Sequence, residues 1–471
     1  MTGRSEATRV RGTTGVHEMV AIDSVVEEGL GNTAWLLDLG DGRALVVDPG
    51  RDPTPYLDLA RRRGLRVAYS AETHLHADFV SGSRELAAHG ASVLAPRAAR
   101  LGFEHQGLDD GDKVDLGRLT LRALATPGHA PEHVAWLVTD AGRPVAVFTG
   151  GALTVGGVAR TDLTGEEQLT EPLARAAWHS IQERLLTLPD DLPVYPTHGA
   201  GSFCATAGNA ERSTTIGAER RGNLLLAASD EDGFTERLLG GLGSFPPYFL
   251  RLREVNRRGP ALLGERDHVL PRLPVERVLG ELRDHGAVLV DVRPVKAFAA
   301  GHPDGALSIA LRPQFATWLG WLVEPDRPLL FVLGDRQDRA ELVRQCRGIG
   351  YERLAGELDG GMAAWRAAGL PEGHVELVGP ERAGDEPVVD VRQASEVAVG
   401  RVPGAVAVEL GSLDDGGALP DGPLTLMCSH GNRAMTGASL LARAGRRDLR
   451  VVVGGGAAEW SSASGRPLTG S

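Results

Sequence analysis

A multidomain α/β protein is what the sequence predicts, on three observations. In the first half, short apolar runs alternate with loops rich in Gly, His and Asp, with helix-compatible stretches between them. Near residue 260 the chain becomes GPALLGERDHVLPRLP, whose Pro and Gly content marks a linker from about Pro260 to Pro274. Beyond it the sequence repeats itself at a spacing of roughly 100 residues, too long for a solenoid unit, so two tandem α/β domains are expected. A length of 471 residues suits about three domains. The expected boundaries are 1–260, 274–373 and 374–471.

In the first half ALVVDPG, RVAYSAETHLHAD, LTLRALATPGHAPEHVAWLV and PVAVFTGGAL read as strands with their following loops, and SRELAAHGA and LARAAWHSIQERLLTL as helices. Three loops after strands, THLHAD, ATPGHAPEH and YPTHGAGSFC, supply His74, His76, Asp78, His129, His133 and His198. Imidazoles gathered from separate loops at one edge of a scaffold are a common way to bind a first-row metal. Cys204, six residues after His198, is a candidate second thiol, as a metal ligand, a sulfur acceptor or a buried small hydrophobe.

These blocks, with DPG (Asp48 to Gly50), FTGGAL (Phe148 to Leu153), ARTDL (Ala159 to Leu163) and THGA (Thr197 to Ala200), resemble the metallo-β-lactamase fold over about Val16 to Arg258, in its glyoxalase II and persulfide dioxygenase branch. The resemblance implies a four-layer αβ/βα sandwich with the site at one edge. Two departures matter. The family's HxHxDH ends here in Phe79, and its metal-binding TGDA reads TGGA with Gly151. Phe79 argues against a second metal and thus against a dinuclear zinc hydrolase. A mononuclear site remains, with His74 and His129 matching the iron ligands. His76 is expected to complete a three-histidine face, or Asp78, Asp162 or water to supply an oxygen; His198 is expected beside the metal or facing substrate. One Fe(II) per chain is the expected cofactor, with zinc as the alternative. The other alternative is a domain that has lost its metal and binds persulfide.

After the linker, AVLVDVRPVKAFAAGHPDGALSIAL is echoed by PVVDVRQASEVAVGRVPGAVAVEL, LLFVLGDRQDRAELVRQ by LTLMCSHGNRAMTGASL, and DGGMAAWRAAGLP by VGGGAAEWSSASGRPL. LTLM is strand-like, CSHGNR is turn-rich and AMTGASLLARAG is helix-compatible, so Cys428 is expected where backbone N–H groups and a helix N-terminus converge. Such a place favours a thiolate or an anionic sulfur species, and Arg433 adds a positive charge.

The DVR of Asp390 to Arg392, VPGA, the loop from Cys428 to Arg433 and GGGAAEW resemble the rhodanese sulfurtransferases over Val275 to Ser471. The resemblance implies that Cys428 carries a persulfide, cradled by Ser429, His430, Gly431 and Asn432 with Arg433. A cysteine phosphatase of related fold would need five residues between Cys and Arg; here four intervene. In the first repeat Gly334 and Gln337 stand at the positions of Cys428 and Gly431, while Arg339 matches Arg433, so that repeat is expected to be catalytically silent. Cys346 sits in its helix-like text as a core residue.

The whole chain is thus expected to be a sulfane-sulfur enzyme acting on a low-molecular-weight persulfide, thiosulfate or sulfite. Net charge of −12 and the lack of a basic, aromatic-laced cluster argue against nucleic acid. No run of 18 apolar residues predicts a membrane span. Three widely spaced cysteines and a start without an apolar core predict a reducing, cytoplasmic location; assembly into homo-oligomers is left open.

Overall fold

The computed structural model describes residues 20–205, 210–264, 269–413 and 419–470. The start of the chain, read above as lacking a secretory signal, and residues 265–268 of the linker lie outside them. The chain divides into two compact units, Met1–Gly264 with Arg347–Gly350, and the rest.

The first unit holds two six-stranded sheets. One runs in order β1 (Ile22–Glu27), β2 (Asn32–Asp38), β3 (Arg43–Val47), β4 (Arg66–Ala71), β5 (Ser92–Pro96) and β6 (Gln106–Leu108). The other runs β12 (Thr214–Thr215), β11 (Pro193–Pro196), β10 (Arg143–Gly150), β9 (Val134–Asp140), β8 (Leu119–Ala125) and β7 (Lys113–Asp115). Strand alternation explains the layers. In β2, Trp35 and Leu37 face the core between the sheets, where they meet Trp136, Phe148 and Tyr195. Ala34 and Leu36 face the other way and pack with Tyr56 and Leu59 of helix Thr54–Arg62. On the far side, Leu124, Val147 and Val194 pack against helices Thr170–Ser180 and Glu231–Gly240. This is the expected four-layer αβ/βα sandwich. The helix read from Leu173 onward begins at Thr170 and ends in a π-turn, Ile181–Leu185.

In the first sheet β3 to β6 are parallel, so the loops after β3 and β4 leave one edge. The loops after β8, β10 and β11 join them there, through contacts detailed below.

The second unit contains two five-stranded parallel sheets with one topology. The spatial order is Arg272–Leu273, Leu354–Leu358, Leu329–Val332, Val288–Asp291, Leu307–Ser308 in the first repeat. In the second it is Glu376–Val378, Leu449–Val452, Leu424–Met427, Val388–Asp390, Val406–Ala407. The central strands are buried along their whole length and mostly apolar, as strands covered on both faces must be. The repeated DVR has a repeated job. Arg293 folds back on Asp291 and donates to the Gly301 carbonyl at 2.8 Å, and Arg392 does the same with Asp390 and Gly400, also at 2.8 Å. Each pair ties the residue that ends the following helix, Gly301 or Gly400, back to the end of its strand. Among the described residues no helix is long and apolar enough to cross a membrane.

Candidate functional site

The histidines predicted from three loops come together at the edge of the sandwich, buried. His74 Nδ1 lies 2.8 Å from Thr73 Oγ1, whose own proton goes to Asp48 Oδ2 at 2.7 Å, so the ring N–H must be the donor. His129 Nδ1 donates to the Arg160 carbonyl at 2.7 Å. His198 Nδ1 lies 3.0 Å from Asn32 Oδ1, and Asn32 Nδ2 donates to Asp78 Oδ2 at 2.8 Å. In all three the outer partner takes the Nδ1 proton and leaves an Nε2 lone pair, the tautomer a metal requires. Burial pushes the pKa of His74 and of His129 well below the ordinary histidine value, which keeps both neutral.

His74 Nε2 and His198 Nε2 stand 3.4 Å apart. Two nitrogens on one ion, each at about 2.1 Å and near-tetrahedral angle, are about 3.4 Å apart. Two lone pairs facing each other at that distance repel, and a shared cation relieves them. Ligand atoms of His74, His76 and His198 fall within 4.8 Å of one another, and so do those of His129, His198 and Cys204. The donor set fits a metal ion, with His198 common to both groups.

His76 is placed differently from the other two. Its Nε2 is 3.1 Å from Glu72 Oε2 and 3.2 Å from Asp48 Oδ1, while Nδ1 is buried without a partner. Burial alone would lower its pKa, but the two carboxylates outweigh burial and push it up to about 10. Phe79 stacks on this ring at 4.2 Å. His133, a loop histidine with no assigned role, is fully engaged: Nδ1 pairs with Thr126 Oγ1 at 2.9 Å and Nε2 accepts the Gly151 N–H at 3.1 Å. It therefore shapes the Gly150–Gly151 turn. A Cβ on Gly151 would lie 2.5 Å from His129 Cδ2, so the His129 ring already occupies the room an aspartate would need.

Asp78 keeps Oδ1 buried and unpartnered, and although burial raises its pKa, the facing His198 holds it below the usual carboxylate range. Asp162 is drawn away by Arg160, whose Nε donates to it at 2.6 Å, and it belongs to neither donor group. Cys204 is fully buried, and burial followed by the nearby Asp78 pushes its thiol well up.

In the second unit Cys428 directly follows strand Leu424–Met427 and is 2 % exposed. The Gly431 N–H donates to its Sγ at 3.1 Å. Gly431 has φ of +88°, and a Cβ there would lie 2.8 Å from Val453 Cγ1, so the turn that aims this N–H requires glycine. Helix Asn432–Arg443 follows and turns its N-terminus to the loop. Ser429 and Asn432 are half-buried and His430 is exposed. Arg433 is not a free cation: it is bidentate to Glu396, at 2.5 and 2.7 Å. Burial opposes this pairing, but Arg433 overcomes it and holds the Glu396 pKa down.

The Metallo-beta-lactamase superfamily profile matches residues 28–198, and the Rhodanese-like domain profile matches 275–368 and 376–463. The mitochondrial persulfide dioxygenase of Homo sapiens is 32% identical over 185 residues, 38% of this chain and 68% of that protein. The chain belongs to the metallo-β-lactamase superfamily, in its persulfide dioxygenase branch, and carries two rhodanese-like domains. A hydroxyacylglutathione hydrolase of Pseudomonas entomophila is 34% identical over 169 residues, 36% of this chain and 61% of that protein. The metallo-beta-lactamase structure from Staphylococcus aureus subsp. aureus COL aligns with TM-score 0.64 and 27% identity over 72% of this chain and 99% of that one. That share is larger than the metallo-β-lactamase domain alone can supply.

Reading the sequence did not find Asp48, Glu72, Asn32 or Glu396 as partners of the predicted site residues. DPG and ETH quote Asp48 and Glu72 within the motifs, yet only the parallel pairing of β3 with β4 brings them to His76. Glu396 had a signal: it stands three residues after Gln393 and closes a capping box on helix Ala394–Val399.

Proposed function

We propose that the chain is a sulfane-sulfur enzyme in which Cys428 carries sulfur as a persulfide and the metallo-β-lactamase domain acts on a low-molecular-weight persulfide at one metal ion. The observation that carries the sulfur-transfer half is the Gly431 N–H on Cys428 Sγ, in a loop that opens a helix. Those dipoles stabilise anionic sulfur on Cys428. The Cys428 thiolate attacks the outer sulfur of thiosulfate, the S–S bond breaks, and sulfite leaves with the electron pair. A nucleophilic acceptor then removes the sulfur and regenerates the thiolate.

In the metallo-β-lactamase domain, His74 and His198 would hold the ion, with His76 or His129 beside them. Ferrous iron there would supply the redox chemistry that lets a persulfide react with O2, and zinc would supply Lewis acidity alone. The chain's own residues do the rest: Thr73, Arg160 and Asn32 fix the tautomers, and Phe79 excludes water from one side of His76. Metal analysis of anaerobically purified protein tests this half. About one iron per chain, with O2 uptake that depends on persulfide and loss of both in His74→Ala, is the expected result.

One observation favours a second reading, a metal-free persulfide-binding domain that feeds Cys428. Gly151 supplies no carboxylate, and the His129 ring fills its place. Protein that stays metal-free after iron reconstitution would establish that reading instead.

A further inference from the structure

The cysteine loop of the second rhodanese-like domain has no unpaired cation of its own. Arg433 is bidentate to Glu396, and Arg392 is clamped on Asp390 by contacts of 2.7 and 2.9 Å. Each positive charge is offset by a carboxylate before any substrate arrives.

The remaining cation comes from the silent domain. Arg312 follows strand Leu307–Ser308, and its backbone is pinned where its carbonyl accepts from Gln345 Nε2 at 3.2 Å and the Leu311 N–H donates to Val292 at 2.9 Å. The segment leading to it lies along helix Asn432–Arg443. Ser308 N–H donates to Ser439 Oγ at 3.0 Å, and Arg443 Nη1 donates to the Gly305 carbonyl at 3.1 Å. That seating carries Arg312 to the head of the helix, within electrostatic reach of Cys428 and Arg433. Its side-chain partner is the neutral Gln314 Oε1 at 2.6 Å, and among the described residues no carboxylate pairs with it. Burial lowers its pKa, the mark of a desolvated charge that lacks a counter-ion. An arginine left in that state within electrostatic reach of a sulfur nucleophile can receive an oxyanion, since a guanidinium matches two oxygens of such a group.

We propose that Arg312 binds the oxyanion end of the sulfur donor at Cys428, so that the silent rhodanese-like domain completes the site of the active one. The inference rests on the sulfur-transfer reading above and names its donor class, a sulfur atom attached to a sulfonate-like group. Thiosulfate bound to Arg312 by its oxygens presents its outer sulfur to Cys428. The thiolate forms the new S–S bond, the old S–S bond breaks, and sulfite departs as a dianion with Arg312 still facing its oxygens. The charge is three negative before and after the step. An alkyl persulfide also offers a sulfane sulfur but has no oxyanion, so it gains nothing from Arg312.

The test uses the full chain and both donors. Thiosulfate transfer to cyanide gives KM and kcat, and intact mass gives the loading of Cys428 by an alkyl persulfide. Arg312→Gln is expected to raise KM for thiosulfate about tenfold or more, the range for a hydrogen bond to a charged group, with loading by the alkyl persulfide unchanged. Arg312→Lys, which keeps the charge and loses the fork, is expected to fall between and guards against a variant that misfolds. An unchanged KM, or equal losses with both donors, overturns the inference. Wild-type protein loaded by the alkyl persulfide alone overturns it too and leaves sulfur transfer standing, whereas wild-type protein loaded by neither sinks the sulfur-transfer reading itself.

Discussion

The two rhodanese-like domains use the same two loop positions for one hydrogen bond and reverse its direction. In the second domain the fourth residue, Gly431, donates its N–H to the side chain of the first, Cys428, at 3.1 Å. In the first domain the first residue, Gly334, donates its N–H to the side chain of the fourth, Gln337, at 2.8 Å. Gln337 also donates to the Val292 carbonyl at 2.7 Å, so its amide fills the loop. Arg339 turns inward and donates to the carbonyls of Gly334 and Gln337 at 3.0 and 2.7 Å, with Glu357 behind it at 3.1 Å. The silent loop satisfies its polar groups from within. The Cys428 loop instead turns a backbone donor onto a sulfur, and on the inference above its unpaired cation comes from the neighbouring domain. A sheet of one topology thus carries either a closed plug or an open cradle, and two side chains decide which.

Replacing the nucleophile breaks this contrast most severely. Cys428→Ser is expected to reduce thiosulfate to cyanide transfer to the uncatalysed background and to leave any O2 uptake by the metallo-β-lactamase domain intact. Gly334→Cys placed in that background is expected to restore nothing, because the Gln337 amide holds the space a persulfide would need. Recovered transfer in that double variant would show that the loop, not merely the cysteine, is competent in both domains, and the plug account would fall.

A smaller effect is expected from the arginine pair. Glu396→Gln keeps an acceptor for the capping box but removes the charge that occupies Arg433. Arg433 then has free donors for an oxyanion, and KM for thiosulfate is expected to fall by about threefold to tenfold. Unchanged KM would mean that Glu396 does not limit what Arg433 can bind.

These features were unevenly legible in the sequence. Apolar runs and their periods carried the fold class, and the echo of DVR and of the glycine-rich blocks carried the duplication. Cys428 and the exchange of Cys for Gly334 and of Gly431 for Gln337 were visible because alignment of the repeats is a local, one-dimensional comparison. The histidine loops were visible for the same reason. Their partners were not. Asp48 and Glu72 reach His76 only through strand pairing, and nothing in HxHxD announces that the middle histidine faces two carboxylates. Asp162 as an oxygen ligand illustrates the converse: it stands in a family block, but Arg160, two residues earlier, holds it. Arg312 lies more than one hundred residues from Cys428, in a segment whose own domain has no nucleophile, so only the packing of Ser308 on Ser439 gives it a role.

The smallest expected effect concerns acid. Glu396 has its pKa lowered in the fold, with burial opposing and Arg433 prevailing. A carboxyl depressed in this way contributes stability that is complete above its ordinary value of 4.5 and is lost as pH falls through the lowered one. The side chain is 36% exposed, so solvent screening limits the pair to about 0.5 kcal/mol. The melting temperature of the wild type should therefore exceed that of Glu396→Gln slightly at pH 7, and the gap should begin to shrink near pH 4.5 and close once pH has fallen through the lowered value, where both proteins carry a neutral group at that position. A gap that held constant into acid would assign the pairing no electrostatic part in stability. It would also imply that Arg433 is released from Glu396 at no cost, which would remove the reason the active domain needs a cation from its silent neighbour.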